Sequence, residues 1–246
     1  MGILKSIWRK TLISKLNVFM VNFNTTELTN FAIKSIIQNA GLENYTINVI
    51  DNSNRISFTT RNKQINILDN TKGQLIDVNK MVLDNLKGLP YKKGKYGSYM
   101  HCATIQYILD NFDNVLLFDS DIVVKKKIDF IDENAIGCFH IEKPRIDSWG
   151  FHVAERAVPF IQYFNTKLIK ELGIRYLDND RICCGNVPMK TKEVYDTGAS
   201  FLEDVKKFSN YKTFDFNDYI NHLRAASWQG NRNITRFMQQ NSRYVK

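Results

Sequence analysis

An unbroken apolar run, Val115-Leu116-Leu117-Phe118, leads directly into Asp119-Ser120-Asp121, and Ile122-Val123-Val124 follows. The run reads as a buried strand with two carboxylates, one residue apart, at its mouth. If the backbone stays extended, alternation puts both acidic side chains on one side. Two hard oxygen ligands so placed can share a divalent cation, and the cation in turn neutralises a phosphate. Strand ends of open α/β sheets are also where ligands gather. The plainer reading of a lone D-x-D is a polar turn capping a strand, so the rest of the chain has to decide.

Upstream, strand and helix patterns alternate. Asn17–Phe23 predicts a first strand, rich in β-formers and too apolar for an edge. Asn24 is placed to cap a helix that starts near Thr25, with Glu27 as its capping-box partner. Leu28, Phe31, Ala32, Ser35 and Ile36 keep helical spacing until Asn39-Ala40-Gly41. A second strand, Ile47–Ile50, ends in Asp51-Asn52-Ser53-Asn54, and Ile65–Leu68 predicts a third. Helical patterns at Gln74–Leu86 and Tyr99–Leu109 lead back to the acidic pair. The fold class is therefore α/β, with a mostly parallel central sheet flanked by helices. No G-x-G-x-x-G follows the first strand and no G-x-x-x-x-G-K-[ST] occurs, which argues against dinucleotide dehydrogenases and P-loop kinases.

Beyond Asp121 the pattern loosens. Ala135–Ile141 and Pro159–Phe164 predict strands, and Lys143–Val153, with Trp149, predicts a loop between them. Helices are predicted at Lys167–Leu172 and from Asp196 through Lys207, before a polar, basic tail. No Pro/Gly/Ser linker splits the chain. One domain over residues 17–230 is expected, with a regular half at about 17–124, a more irregular half at about 125–230, and 231–246 as the tail.

The 246 residues, 43% hydrophobic, suffice for one core, and the net charge of +9 favours anionic partners. No apolar stretch is long enough to span a bilayer, and Met1–Leu16 lacks a signal-peptide pattern, so a cytoplasmic location is expected. Residues 1–16 instead read as a basic amphipathic helix, suited either to an anionic membrane surface or to packing on the domain. Cys102, Cys138, Cys183 and Cys184 show no C-x-x-C spacing and read as reduced thiols.

Four segments, in this order, resemble GT-A-type glycosyltransferases, the nucleotide-diphosphosugar transferase fold: Val18–Thr25, Ile47–Asn54, Val115–Val124, and His222-Leu223-Arg224-Ala225-Ala226-Ser227-Trp228. Tyr163-Phe164-Asn165-Thr166 is similar to the F-N-x-G segment of glycogenin- and galactosyltransferase-like families, with Lys167 where the glycine stands. The resemblance implies a Rossmann-like GT-A fold, with a nucleotide-binding half at about 17–124 and an acceptor half at about 125–230, and a metal held by Asp119, Asp121 and His222. Oxygen and imidazole ligands together favour Mn²⁺, with Mg²⁺ as the substitute. It implies a UDP-sugar donor and a glycan or lipid-linked acceptor. Asn24, Asp51, Ser98, His101 and Ser120 would face the nucleotide or its sugar. Glu203-Asp204 is similar to the late acidic pair of inverting members; Asp196 and Asp147 compete with it for the role of base. Trp149 is a candidate to stack on an acceptor ring. Two other readings stand beside this one. A nucleic acid base is the acceptor in a viral DNA-modifying enzyme, and a non-catalytic basic module would bind anions without turnover.

Overall fold

The computed structural model describes residues 15–77, 97–146, 152–177, 193–194, 196–223 and 231–245, without the side chains of 97–99, 193–194 and 231–232. The apolar runs become neighbouring strands of one sheet. β1 (Leu16–Asn22) lies between β2 (Tyr45–Asp51) and β4 (Val115–Asp119), parallel to both, and β3 (Ile65–Asp69) continues parallel beside β2. β9 (Arg156–Phe164) runs antiparallel between β4 and β6 (Gly137–Glu142), and β11 (Lys212–Thr213) closes that side. The resulting order is β11-β6-β9-β4-β1-β2-β3.

Both faces of this sheet are covered, which is why Val115 to Phe118 are all apolar. Phe19, Ile50, Val115 and Leu117 join one core cluster with α2 (Gly97–Asn111) and α4 (Ala199–Lys206). Their neighbours Val18, Met20, Val49, Leu116 and Phe118 join a second cluster with α1 (Thr26–Asn39). Successive residues thus feed opposite layers, as strand pleating requires.

Several features differ from the sequence reading. Thr25, not Asn24, is the N-cap of α1, and it makes no side-chain cap bond. Asn24 instead takes a left-handed conformation, φ 58°, that turns the chain between β1 and α1. Residues 143–153 are not loop alone: β7 (Arg145–Ile146) and β8 (His152–Val153) pair antiparallel at its ends. Residues 74–77 are not helical, and 78–86 lie outside the described residues, as do 1–14, Asp147, Trp149, Cys183, Cys184 and Trp228. The helix expected from Asp196 begins at Ala199.

The tail contains α5 (Asn231–Gln240), whose Phe237 is buried against Leu28 of α1 and Val123. The two proposed halves share one sheet, because β9 is inserted beside β4. Among the described residues no helix is long and apolar enough to cross a membrane.

Candidate metal centre

β4 ends at Asp119, and the chain then turns rather than staying extended, so the simple alternation argument for Asp119 and Asp121 does not apply. Their carboxylates converge by another route. After the turn, β5 (Ile122–Val124) is held on α1 by the Val124 N–H, which donates to Ser35 Oγ at 2.9 Å. β12 (Ile220–His222) pairs antiparallel with β5, placing His222 opposite Ile122, and Leu223 N–H donates to the Asp121 carbonyl at 2.9 Å. This short ladder brings the late histidine to the acidic turn.

His222 Nε2 lies 3.0 Å from Asp121 Oδ1 and 3.9 Å from Asp119 Oδ2. One ligand atom from each of the three residues falls within 4.8 Å of the others. The His222 side chain is 3% exposed, and its ring stacks on Phe160 of β9, centroids 3.7 Å apart. Burial and the neighbouring Asp121 hold the Asp119 carboxyl well above the usual carboxylate range, against the pull of His222 and Arg156.

His101, on α2, approaches from the other side, its Nε2 3.5 Å from Asp119 Oδ1 and without a hydrogen-bond partner. Burial pushes its pKa down to about 4, although Asp121 and Asp196 act in the opposite sense. Ser98 starts the same helix, but its side chain is not among those described. Ser120, between the two acids, packs its hydroxyl 3.3 Å from Thr25 Oγ1.

That contact begins a buried polar chain. Thr25 and Thr29 hydroxyls donate to Asn22 Oδ1, and Asn22 Nδ2 donates to Asp51 Oδ1 and Ser53 Oγ. Asp51 is 1% exposed, and its carboxylate also accepts from Ser53 N–H and Oγ and from Phe58 N–H. The acid expected to meet a base or ribose therefore organises the loop after β2. Asn24 serves the same loop: its Oδ1 accepts from Arg55 and Ile56 N–H, and its Nδ2 donates to Asn54.

Of the four candidate bases, Asp147 lies outside the described residues and the other three separate from the acidic turn. Asp204 pairs with Lys207, Oδ1 to Nζ 2.6 Å, and Glu203 lies on the same short helix; neither belongs to the cluster of Asp119, Asp121 and His222. Asp196 is held by Arg156, whose guanidinium also bonds Glu142 at 2.6 Å. Burial opposes the charge of Arg156, but Asp196 and Glu142 outweigh it and raise its pKa. Arg156 and Phe160 were missed in the sequence because neither lies in a motif. Both stand in a strand whose pattern signals only burial.

A cleft of about 380 Å³ opens beside His222, between β6, the start of β9 and the turn at 216–218. Arg156 and Phe160 line it, so it adjoins the cluster.

No protein-family model matches the chain, and no curated protein sequence does. Solved structures similar to it include the galactosyltransferase LgtC in complex with donor and acceptor sugar analogs, at 11% identity and a TM-score of 0.47, covering 82% of this chain and 74% of that one. Mouse xyloside xylosyltransferase 1 is similar at 11% identity and a TM-score of 0.47, covering 82% and 86%. TarS 1-349 of S. aureus is similar at 12% identity and a TM-score of 0.43, covering 94% and 65%.

Proposed function

We propose that this chain is a metal-dependent glycosyltransferase that moves a sugar from a UDP-sugar to a glycan or lipid-linked acceptor. The observation that carries the reading is the convergence of Asp119, Asp121 and His222 within 4.8 Å at the carboxyl edge of a mostly parallel sheet. The donor set fits a divalent cation. Two carboxylates and an imidazole suit Mn²⁺ and tolerate Mg²⁺, and a double positive charge offsets the burial and the repulsion from Asp121 that raise Asp119. Such an ion, when bound, supplies Lewis-acid stabilisation of the departing diphosphate.

The chain's own residues supply the rest. Asp119 and Asp121 fix the charge at the end of β4, and Phe160 holds the imidazole of His222 by stacking. The Nε2 of His101, buried without a hydrogen-bond partner 3.5 Å from Asp119 Oδ1, backs the acidic pair. The loop pinned by Asn24 and Asp51 frames the nucleotide side, with Ser120 linking it to the acidic turn. Asp196 is our candidate to receive the acceptor's proton, since Arg156 ties it to the wall beside the centre.

The test is release of UDP and transfer of sugar from a panel of UDP-sugars in the presence of Mn²⁺. Release should require the ion, stop on chelation, and fall at least about 100-fold in Asp121→Ala and His222→Ala. UDP release that persists in both variants would overturn the reading, as would none from any donor.

A further inference from the structure

We infer that the cleft beside His222 binds the ring of an uncharged saccharide. Its role as the acceptor subsite rests on the glycosyltransferase reading, whereas the binding itself does not. At about 380 Å³ the cleft is of small-molecule size. Val158, Phe160 and Phe216 contribute apolar edges to its lining, which suit the C–H face of a pyranose.

The charges of the wall decide the class of ligand. Arg145 lies 3.5 Å from Glu142, and Arg156 is shared between Glu142 and Asp196. His140 Nδ1 lies 3.1 Å from the Phe214 carbonyl oxygen and 3.7 Å from Asp215. Among the described residues, every basic group lining the cleft thus has an acidic neighbour, although the chain as a whole carries +9. A phosphate or uronate would bring further negative charge against Glu142 and Asp196 and lose its own hydration. A hydroxyl adds no charge. Arginine offers five N–H donors and a carboxylate about four lone-pair sites, so paired groups still bond neutral hydroxyls.

The experiment uses the full chain and saturation-transfer NMR with calorimetry. Probes are the methyl pyranosides of glucose, galactose and xylose, set against methyl glucuronide and glucose 6-phosphate. A neutral pyranoside should bind at least about tenfold more tightly than either anionic probe. Asn217→Trp, at the exposed rim, should abolish that binding while the variant melts as a folded protein. Glu142→Gln removes the shared anion and should shift preference toward the glucuronide by about tenfold.

An anionic probe binding best to the wild type overturns the inference. So does absence of binding by all three neutral pyranosides, or binding unchanged in Asn217→Trp. The Mn²⁺- and UDP-dependent melting shift of the same wild-type sample separates the two ideas. Pyranoside binding without that shift defeats the glycosyltransferase reading alone, and the shift without pyranoside binding defeats the cleft alone.

Discussion

Asp119 bears most of the electrostatic strain of the site. Burial and Asp121 keep its carboxyl protonated in the metal-free fold at a pH where the unfolded chain has released the proton. The folded state then binds more protons than the unfolded one. Stability from this group is greatest at low pH and declines as pH rises above about 4, the ordinary aspartate value. Asp119→Asn should therefore flatten the fall in melting temperature between pH 5 and 8 in chelator-treated protein, and should remove the response to Mn²⁺. A wild type and variant with parallel pH profiles would contradict this. The polar chain behind the acidic turn has a different logic. Asn22 is fully buried, its oxygen accepting from Thr25 and Thr29 and its amide donating to Asp51 and Ser53. The position of Asp51 at the end of a strand was readable from the sequence. Its burial was not, because that depends on the chain folding back at Phe58.

Elements bring these residues together more than motif spacing does. The pairing of β5 with β12 delivers His222, and the start of β9 delivers Arg156. On the far side of Arg156, Gly198 opens α4 at φ 86°, and a Cβ there would meet the Ala157 carbonyl oxygen at 2.1 Å. Gly198→Ala should destabilise by more than about 1 kcal/mol and separate Asp196 from Arg156. Chemical denaturation reads the first effect, and a loss of sugar transfer exceeding the loss of UDP binding reads the second. An unchanged denaturation midpoint would show that the strand accommodates the methyl group. The parallel strands β1 to β4 were legible in the sequence because each is a short apolar run with polar punctuation. β7 and β8 were not, since two-residue strands carry no period, and α5 was hidden by its polar composition. Only a few apolar side chains, Phe237 among them, dock that helix.

For the whole molecule, the sheet organises function by gathering three things at one edge: an acidic turn, a loop pinned by buried asparagine and aspartate, and a charge-balanced cleft. The order of the four resembling segments anticipated the first of these, and the structure adds the ladder that joins His222 to it. The cleft was not legible, because its walls come from β6, β9 and the turn at 216–218, each ordinary when read alone. The net charge of +9 favours anionic ligands at the surface, whereas the inferred saccharide cleft would select through its paired groups. The proposed function requires that Asp119, Asp121 and His222 together hold a divalent cation for a nucleotide diphosphate. Its most direct test is the melting temperature with Mn²⁺ and UDP, separately and together, in wild type, Asp121→Ala and His222→Ala. With both ligands about 100-fold above their dissociation constants, the wild type should rise by about 10–20 °C, more than with either alone, and both variants should lose the joint rise. A joint rise of the same size in either variant would contradict the account.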